Sequence, residues 1–200
     1  MLTGRNQGRP ARKGSRAHCV DRPPEVYGSP EMSETSIESA TIEDIPQLAD
    51  LLADLFSLGT DFTPNHAKQI RGVRLILEQP SRGRIFVLRN NGMILGMINI
   101  LFTISTAEGG FVALLEDLVV HREYRGQDFG HRLLKHAIDY CREKEILRIT
   151  IVTDRGREDA ARFFRAHGFA ESNLSVMRKF LSPSRDKMVA ETTAWQKNLS

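Results

Sequence analysis

The sequence predicts an α+β domain in which a mixed, mostly antiparallel sheet is flanked by about four helices. Three observations carry that expectation. Apolar residues recur at helical spacing up to Leu77, at strand-like spacing from Arg84 to Val120, and at helical spacing again from Leu133. The tripeptide Asn90-Asn91-Gly92 separates two runs rich in Ile, Val, Phe and Leu, a strong signal for a tight hairpin. A helical pattern then lies between two apolar runs, ending at Val120 and beginning at Ile149, and such a crossover makes the strands on either side of it parallel.

Each element follows in order. Ser36 to Ala40 alternates like a short strand. Thr41 to Asp44 supplies cap candidates ahead of Pro46, and Ile45, Leu48, Leu52 and Leu55 predict a first helix to Phe56. Residues 57 to 65 break it. A second helix is expected from His66 to Glu78 with Ile70, Val73, Leu75 and Leu77 on its apolar side, ended by Pro80. Strands are expected at Arg84 to Arg89, Met93 to Ile104 and, after Glu108-Gly109-Gly110, Phe111 to Val120. Leu133, Leu134, Ala137, Ile138 and Cys141 mark one face of a helix from Gly130 to Lys144. Ile149 to Thr153 reads as a short buried strand, Glu158 to His167 as a helix closed by Gly168, and Val176 to Leu181 as a last strand.

Composition bounds the rest. The 200 residues are 26% charged and 40% apolar, enough for one substantial core with tails to spare. The net charge of +3 is misleading, because the first twenty residues carry Arg5, Arg9, Arg12, Lys13 and Arg16 with no acid. The remainder is therefore slightly acidic. That gives no reason to expect a nucleic-acid partner for the body, and residues 1–34, rich in Gly, Pro, Ser and charge, read as a disordered basic extension. The domain is expected at 35–182, followed by a polar tail at 183–200. The run Ile94 to Ile104 is interrupted by Asn99 and is far short of the roughly 18 to 20 residues a membrane span needs. No membrane partner is expected. Cys19 and Cys141 form no CxxC pair and no His/Cys cluster, so neither a disulfide framework nor a metal site is expected, and a cytoplasmic location is the default.

Chemistry concentrates in Leu114 to Gly130. A strand there feeds a loop containing Arg125, Gly126 and Gly130 that opens straight into a helix, which aims unpaired N–H groups and the positive end of the helix dipole at one spot. Such a place suits a phosphate group. Glu116 and Asp117, adjacent on the strand, point to opposite faces, so only one of them can face a ligand.

These residues resemble the GNAT family of N-acetyltransferases. The family's R/Q-x-x-G-x-G/A signature after an acid-Leu-x-Val strand lies over Asp117-Leu118-Val119-Val120 and Arg125 to Gly130. Ala160, Phe163, Phe164, Gly168 and Phe169 meet its A-x-x-F-Y-x-x-x-G-F pattern, and Met177, Lys179 and Leu181 meet its final strand. The likeness spans about residues 35 to 182, and within the family it leans toward aminoalkylphosphonate-type acetyltransferases. It implies a sheet of six to seven strands with splayed central strands, acetyl-CoA as acetyl donor, and a small-molecule primary amine as acceptor. It also allows a homodimer. The diphosphate would then rest on Arg125, Gly126, Gln127, Asp128, Phe129, Gly130 and His131, and the pantetheine would pair with Leu118, Val119 and Val120. A strand N–H would stabilise the oxyanion, and Glu116 or Asp117 would serve as base.

Two departures from the family pattern stand out. Asp128 replaces a loop glycine; the reading is that it adopts a left-handed backbone, faces solvent and caps the helix. Phe164 stands where many members carry a proton-donating tyrosine, so catalysis without that donor, or an acyl-CoA-binding module with little or no catalysis, are the two outcomes. Tyr124, Tyr140, His136 and His167 read as structural. Acceptor selection is expected from 57–66 and 105–110, with Asp61, His66 and Glu108 attracting an amine or Arg71 and Arg74 an anion.

Overall fold

The computed structural model describes residues 35–58, 62–153, 158–179 and 181. The expected basic extension at 1–34, the tail at 183–200, Cys19 and Asp61 lie outside the described residues.

The chain runs β1 (Ser36–Ser39), α1 (Ile45–Phe56), α2 (His66–Leu77), β2 (Gly83–Asn90), β3 (Met93–Ser105), β4 (Gly110–Val120), α3 (Phe129–Glu143), β5 (Ile149–Ile151) and α4 (Glu158–Ala166). The strands lie in the order β1-β2-β3-β4-β5. The first four are antiparallel, and β5 joins β4 in parallel through the α3 crossover. The turn between β2 and β3 has Asn91 at φ 45° and Gly92 at φ 85°, the two positive angles a type I′ hairpin requires. Before α1, the Thr41 N–H donates to Asp44 Oδ2 at 2.8 Å, so the chain enters the helix through a hydrogen-bonded turn.

Helices cover both faces of the sheet. On one face α1 and α2 bury Leu48, Leu51, Leu52 and Val73 against Ile85, Val87, Met97 and Val119. On the other α3 and α4 bury Phe129, Leu133, Leu134, Ala137 and Phe164 against Leu95, Ile98, Ile100 and Leu115. Each fully buried large side chain of this kind contributes about 1.5–3 kcal/mol. On α2 the expected inward Leu75 is exposed, and Ile76 packs on the core in its place. Among the described residues no helix is long and apolar enough to cross a membrane.

The sheet has five strands among the described residues, not the six to seven expected. The expected strand at Val176 to Leu181 does not form over its described residues, and Met177 and Leu181 are 92% and 80% exposed. The physical reason lies in β5. It is three residues long, so its outer edge offers too few hydrogen bonds to hold another strand in register.

Candidate functional site: an open strand edge above a loop of unpaired amides

Two bulges shape the centre of the sheet. Between β2 and β3 the register moves from Leu88 opposite Gly96 to Arg89 opposite Ile94. Between β3 and β4 it moves from Asn99 opposite Asp117 to Ile100 opposite Leu115, so Glu116 is an extra residue. A bulge turns the following side chains to the other face. Leu115 accordingly packs under α3 and α4, whereas Val119 packs under α1 and α2.

Among the described residues β4 has no outer neighbour beyond the bulge. Its pairing with β5 covers Ala113, Leu114 and Leu115 only. The expected splay is therefore present from Glu116 onward. Main-chain groups alternate between the two edges of a strand. The His121 N–H donates to the Leu95 carbonyl at 2.8 Å, and the Val119 carbonyl faces Gly96, where a Cβ would lie 2.9 Å from it. Leu118 and Val120 therefore turn their N–H and C=O groups to the open edge. Of the three residues expected to pair with a ligand, these two are placed to do so, while Val119 pairs with β3.

The edge ends at the loop. Gly126 takes φ 80°, Asp128 takes φ 65°, and α3 starts at Phe129. No acceptor among the described residues receives a hydrogen bond from the main-chain N–H of Gly126 through His131. Arg125 spans the gap, its Nε donating to the Val120 carbonyl at 3.0 Å. Six unpaired donors, one guanidinium and the positive end of a 15-residue helix thus converge. Asp128 is left-handed and exposed as expected, but it makes no cap hydrogen bond. With that backbone its carboxylate does not turn back onto the first amides of the helix. A Cβ on Gly130 would meet Phe163 of α4 at an ordinary 3.7 Å, so the side-chain position of this glycine faces α4 while its main-chain N–H stays unpaired among the described residues. His131 turns the same way; its Nδ1 lies 3.0 Å from His167 Nε2, and its ring packs on Phe163.

The two acids at the bulge differ sharply. Glu116 is exposed, whereas Asp117 is 8% exposed and its Oδ2 accepts from Asn99 Nδ2 at 3.0 Å. Burial pushes the Asp117 carboxyl up to about 6; the Asn99 hydrogen bond opposes the rise and the neighbouring Glu116 charge adds to it. Asn99, 3% exposed, leaves its Oδ1 buried with no partner.

Other expected residues fall elsewhere. Glu108 pairs with Arg148 at 3.1 Å, and its turn lies six residues, about 20 Å, along β4 from the bulge. His66 pairs with Asp50 at 3.1 Å and Arg74 with Glu78 at 3.8 Å. Phe164 is a core residue, its ring 5.1 Å from Phe163 and 5.6 Å from Phe169. Tyr140 packs on Phe86, and the Tyr124 ring lies 5.5 Å from His121. Two features went unassigned from sequence. The Arg178 guanidinium sits 5.2 Å over the Phe62 ring, which brings the C-terminal segment to the connection between α1 and α2. Asn99 stands out in sequence as the amide interrupting a long apolar run, but its partner depends on the bulge.

Known proteins resemble this chain in sequence and fold. The family model described as the acetyltransferase (GNAT) family matches residues 46–169, more than half of the chain. An aminoalkylphosphonate N-acetyltransferase of Salmonella typhimurium is 26% identical over 143 residues, covering 72% of this chain and 90% of that protein. The crystal structure of a transcriptional regulator from Bacillus halodurans C-125 superposes with a TM-score of 0.63 at 29% identity, covering 73% of this chain and 99% of that one. A possible acetyltransferase from Clostridium difficile 630 shares the fold with a TM-score of 0.68 at 15% identity, covering 74% and 99%. The chain belongs to the acetyltransferase (GNAT) family and is an acyltransferase of the acetyl-CoA-dependent N-acetyltransferase class.

Proposed function

We propose that this chain moves the acetyl group of acetyl-CoA to a primary amine of a small molecule by direct attack of the amine nitrogen. The observation that carries the reading is the open edge of β4 leading into unpaired amides. The residues present suit the coenzyme. Main-chain N–H groups from Gly126 to His131 and the Arg125 guanidinium hold the diphosphate. Leu118 and Val120 would offer main-chain N–H and C=O groups to the pantetheine arm along the open edge. Bound there, acetyl-CoA supplies an acyl group already activated as a thioester.

Asp117 is the base. Raised to about 6, it is still mostly ionised at neutral pH and lies close to the working range, which favours taking a proton from the attacking nitrogen directly or through one water. Glu116 lies in solvent beside it and tunes it by repulsion. Cys141 is not a nucleophile for an acyl-enzyme route: burial pushes its thiol up to about 11, and it faces the core under α3. Phe164 donates no proton, so the leaving thiolate takes its proton from solvent. The name of the Salmonella relative places aminoalkylphosphonates first among acceptors to be tried.

Thiol release over a panel of amines, with acetyl-CoA binding followed by calorimetry, tests the proposal. The expected result is release above buffer with at least one acceptor, and an Asp117→Asn variant slowed about 10²–10⁴-fold. Tight acetyl-CoA binding without release for any acceptor would overturn it in favour of an acyl-CoA-binding module, the reading that the lack of a proton donor at Phe164 favours.

A further inference from the structure

We propose that Asn99 is the positioning residue for the base: its amide fixes the Asp117 carboxylate beside the bulge and keeps a hydrogen bond to it both before and after the proton arrives. The inference rests on the reading of Asp117 as base, and it assigns a role to a residue on a strand that the coenzyme does not touch. Four observations carry it. Asn99 and Asp117 are register partners at the last pair before the bulge, so their side chains project side by side from the same face. Asn99 Nδ2 donates to Asp117 Oδ2 at 3.0 Å. Both residues are buried, in a face that also carries Met97 and Val119 and is covered by α1 and α2, whose buried residues include Leu48, Leu51, Leu52, Val73 and the polar Gln69. Finally, Asn99 Oδ1 has no partner.

A merely structural asparagine in a buried layer would be expected to use both ends of its amide, because a buried polar atom without a partner is costly. An orphaned acceptor next to a carboxylate has a chemical use. While Asp117 is ionised, Nδ2 donates to it. Once the attacking nitrogen has formed its bond to the acetyl carbon, the C–S bond has broken and the nitrogen's proton has passed to Asp117, that carboxyl becomes a donor. A half-turn of the amide then presents Oδ1 to receive it. One hydrogen bond and one orphaned atom exist in each state, so proton arrival costs the site no hydrogen bond. The proton subsequently leaves Asp117 for solvent and the amide turns back. Among the described residues Glu116, on the same strand, is the charged group that acts on Asp117; the other elements packed on that face contribute uncharged buried groups, Asn99 on β3, apolar side chains of α1, and Val73 and Gln69 of α2.

The experiment compares wild type, Asn99→Leu and Asn99→Ser in the full chain. Serine is included because it keeps a small polar side chain too short to reach Asp117, should leucine compromise folding. Two readouts are followed: the pH profile of kcat/KM for the amine, and the titration of the Asp117 carboxyl by carbon NMR. Both variants are expected to move the acid limb and the carboxyl titration together to higher pH by about one unit or more, a loss of about tenfold in rate on the acid side that shrinks as pH rises. Acetyl-CoA affinity is expected to stay within threefold. An acid limb and a carboxyl titration at wild-type positions would overturn the role of Asn99. Asp117→Asn serves as the control: if it slows the reaction while the Asn99 variants leave the profile in place, only this inference falls, and if it retains full rate, the assignment of the base falls as well.

Discussion

Replacing Asp117 by Asn should make the protein more stable while making it a slower enzyme. In the folded chain burial holds the Asp117 carboxyl near 6, against an ordinary 3.8. A carboxyl raised in this way contributes no loss of stability below pH 3.8, where it is protonated in both states. Stability declines as pH rises from there to about 6 and stays reduced above it, because the unfolded chain binds fewer protons over that window. The displacement corresponds to about 3 kcal/mol at pH 7. Asparagine removes the charge and still offers an oxygen to Asn99 Nδ2, but it adds two donors that need partners, so the expected net gain is about 1–3 kcal/mol. Urea unfolding at pH 7 and pH 4 measures it. The gain should be present at pH 7 and largely absent at pH 4. A variant less stable than wild type at pH 7, or an equal difference at both pH values, would show that the buried carboxylate is not held at a cost, and the basis for reading it as a tuned base would be lost.

Three further outcomes follow from the geometry. Asp128→Gly should leave acetyl-CoA affinity unchanged or improve it, since the carboxylate faces solvent and glycine prefers φ 65°; a tenfold loss by calorimetry would contradict an outward-facing Asp128. Arg125→Ala removes a cation from the loop and should weaken acetyl-CoA binding by about 10–100-fold, the range of a charge-assisted hydrogen bond, with little change in thermal stability; unchanged affinity would place the diphosphate elsewhere. Arg89→Met strips the guanidinium from Asp44, which is buried and bonded to it at 2.8 Å, and should cost about 2–4 kcal/mol at pH 7. Burial opposes ionisation of Asp44, but the Thr41 N–H and Arg89 together hold its carboxyl below the ordinary value. Wild type should therefore lose that contribution as pH falls below 3.8 through the folded value, and the gap between wild type and variant should close in acid unfolding; a gap independent of pH would sink the pairing as its source.

Most of the fold was legible because its signals are local. The Asn91-Gly92 turn, the Asn65 cap whose Oδ1 accepts from the Lys68 N–H, and the apolar stripe of α3 each depend on residues within a few positions of one another. The loop from Arg125 to Gly130 was legible for the same reason, its strand, glycine and helix start being contiguous. What the sequence could not supply was register. Two bulges, at Leu95 and Glu116, decide which side chains reach which face, and neither leaves a mark in composition. Simple strand alternation puts Glu116 and Asp117 on opposite faces without saying which is buried. The bulge separates them into an exposed acid and a buried one, and it sets Asn99 beside the latter. The last expected strand failed for a related reason: an alternating pattern states that a strand could form, but pairing depends on the length of the neighbouring edge, and β5 is too short. Likewise the length of β4, which sets the turn holding Glu108 about 20 Å from the bulge, is not written in local pattern.

Main-chain amide shifts on adding acetyl-CoA to the full chain test the central claim most directly. The account predicts that the N–H resonances of Gly126 to His131 and of Leu118 and Val120 move together and saturate, while those of Glu108 to Phe111 at the far end of β4 stay in place. Saturating shifts confined to other surfaces, or none at millimolar ligand, would contradict it.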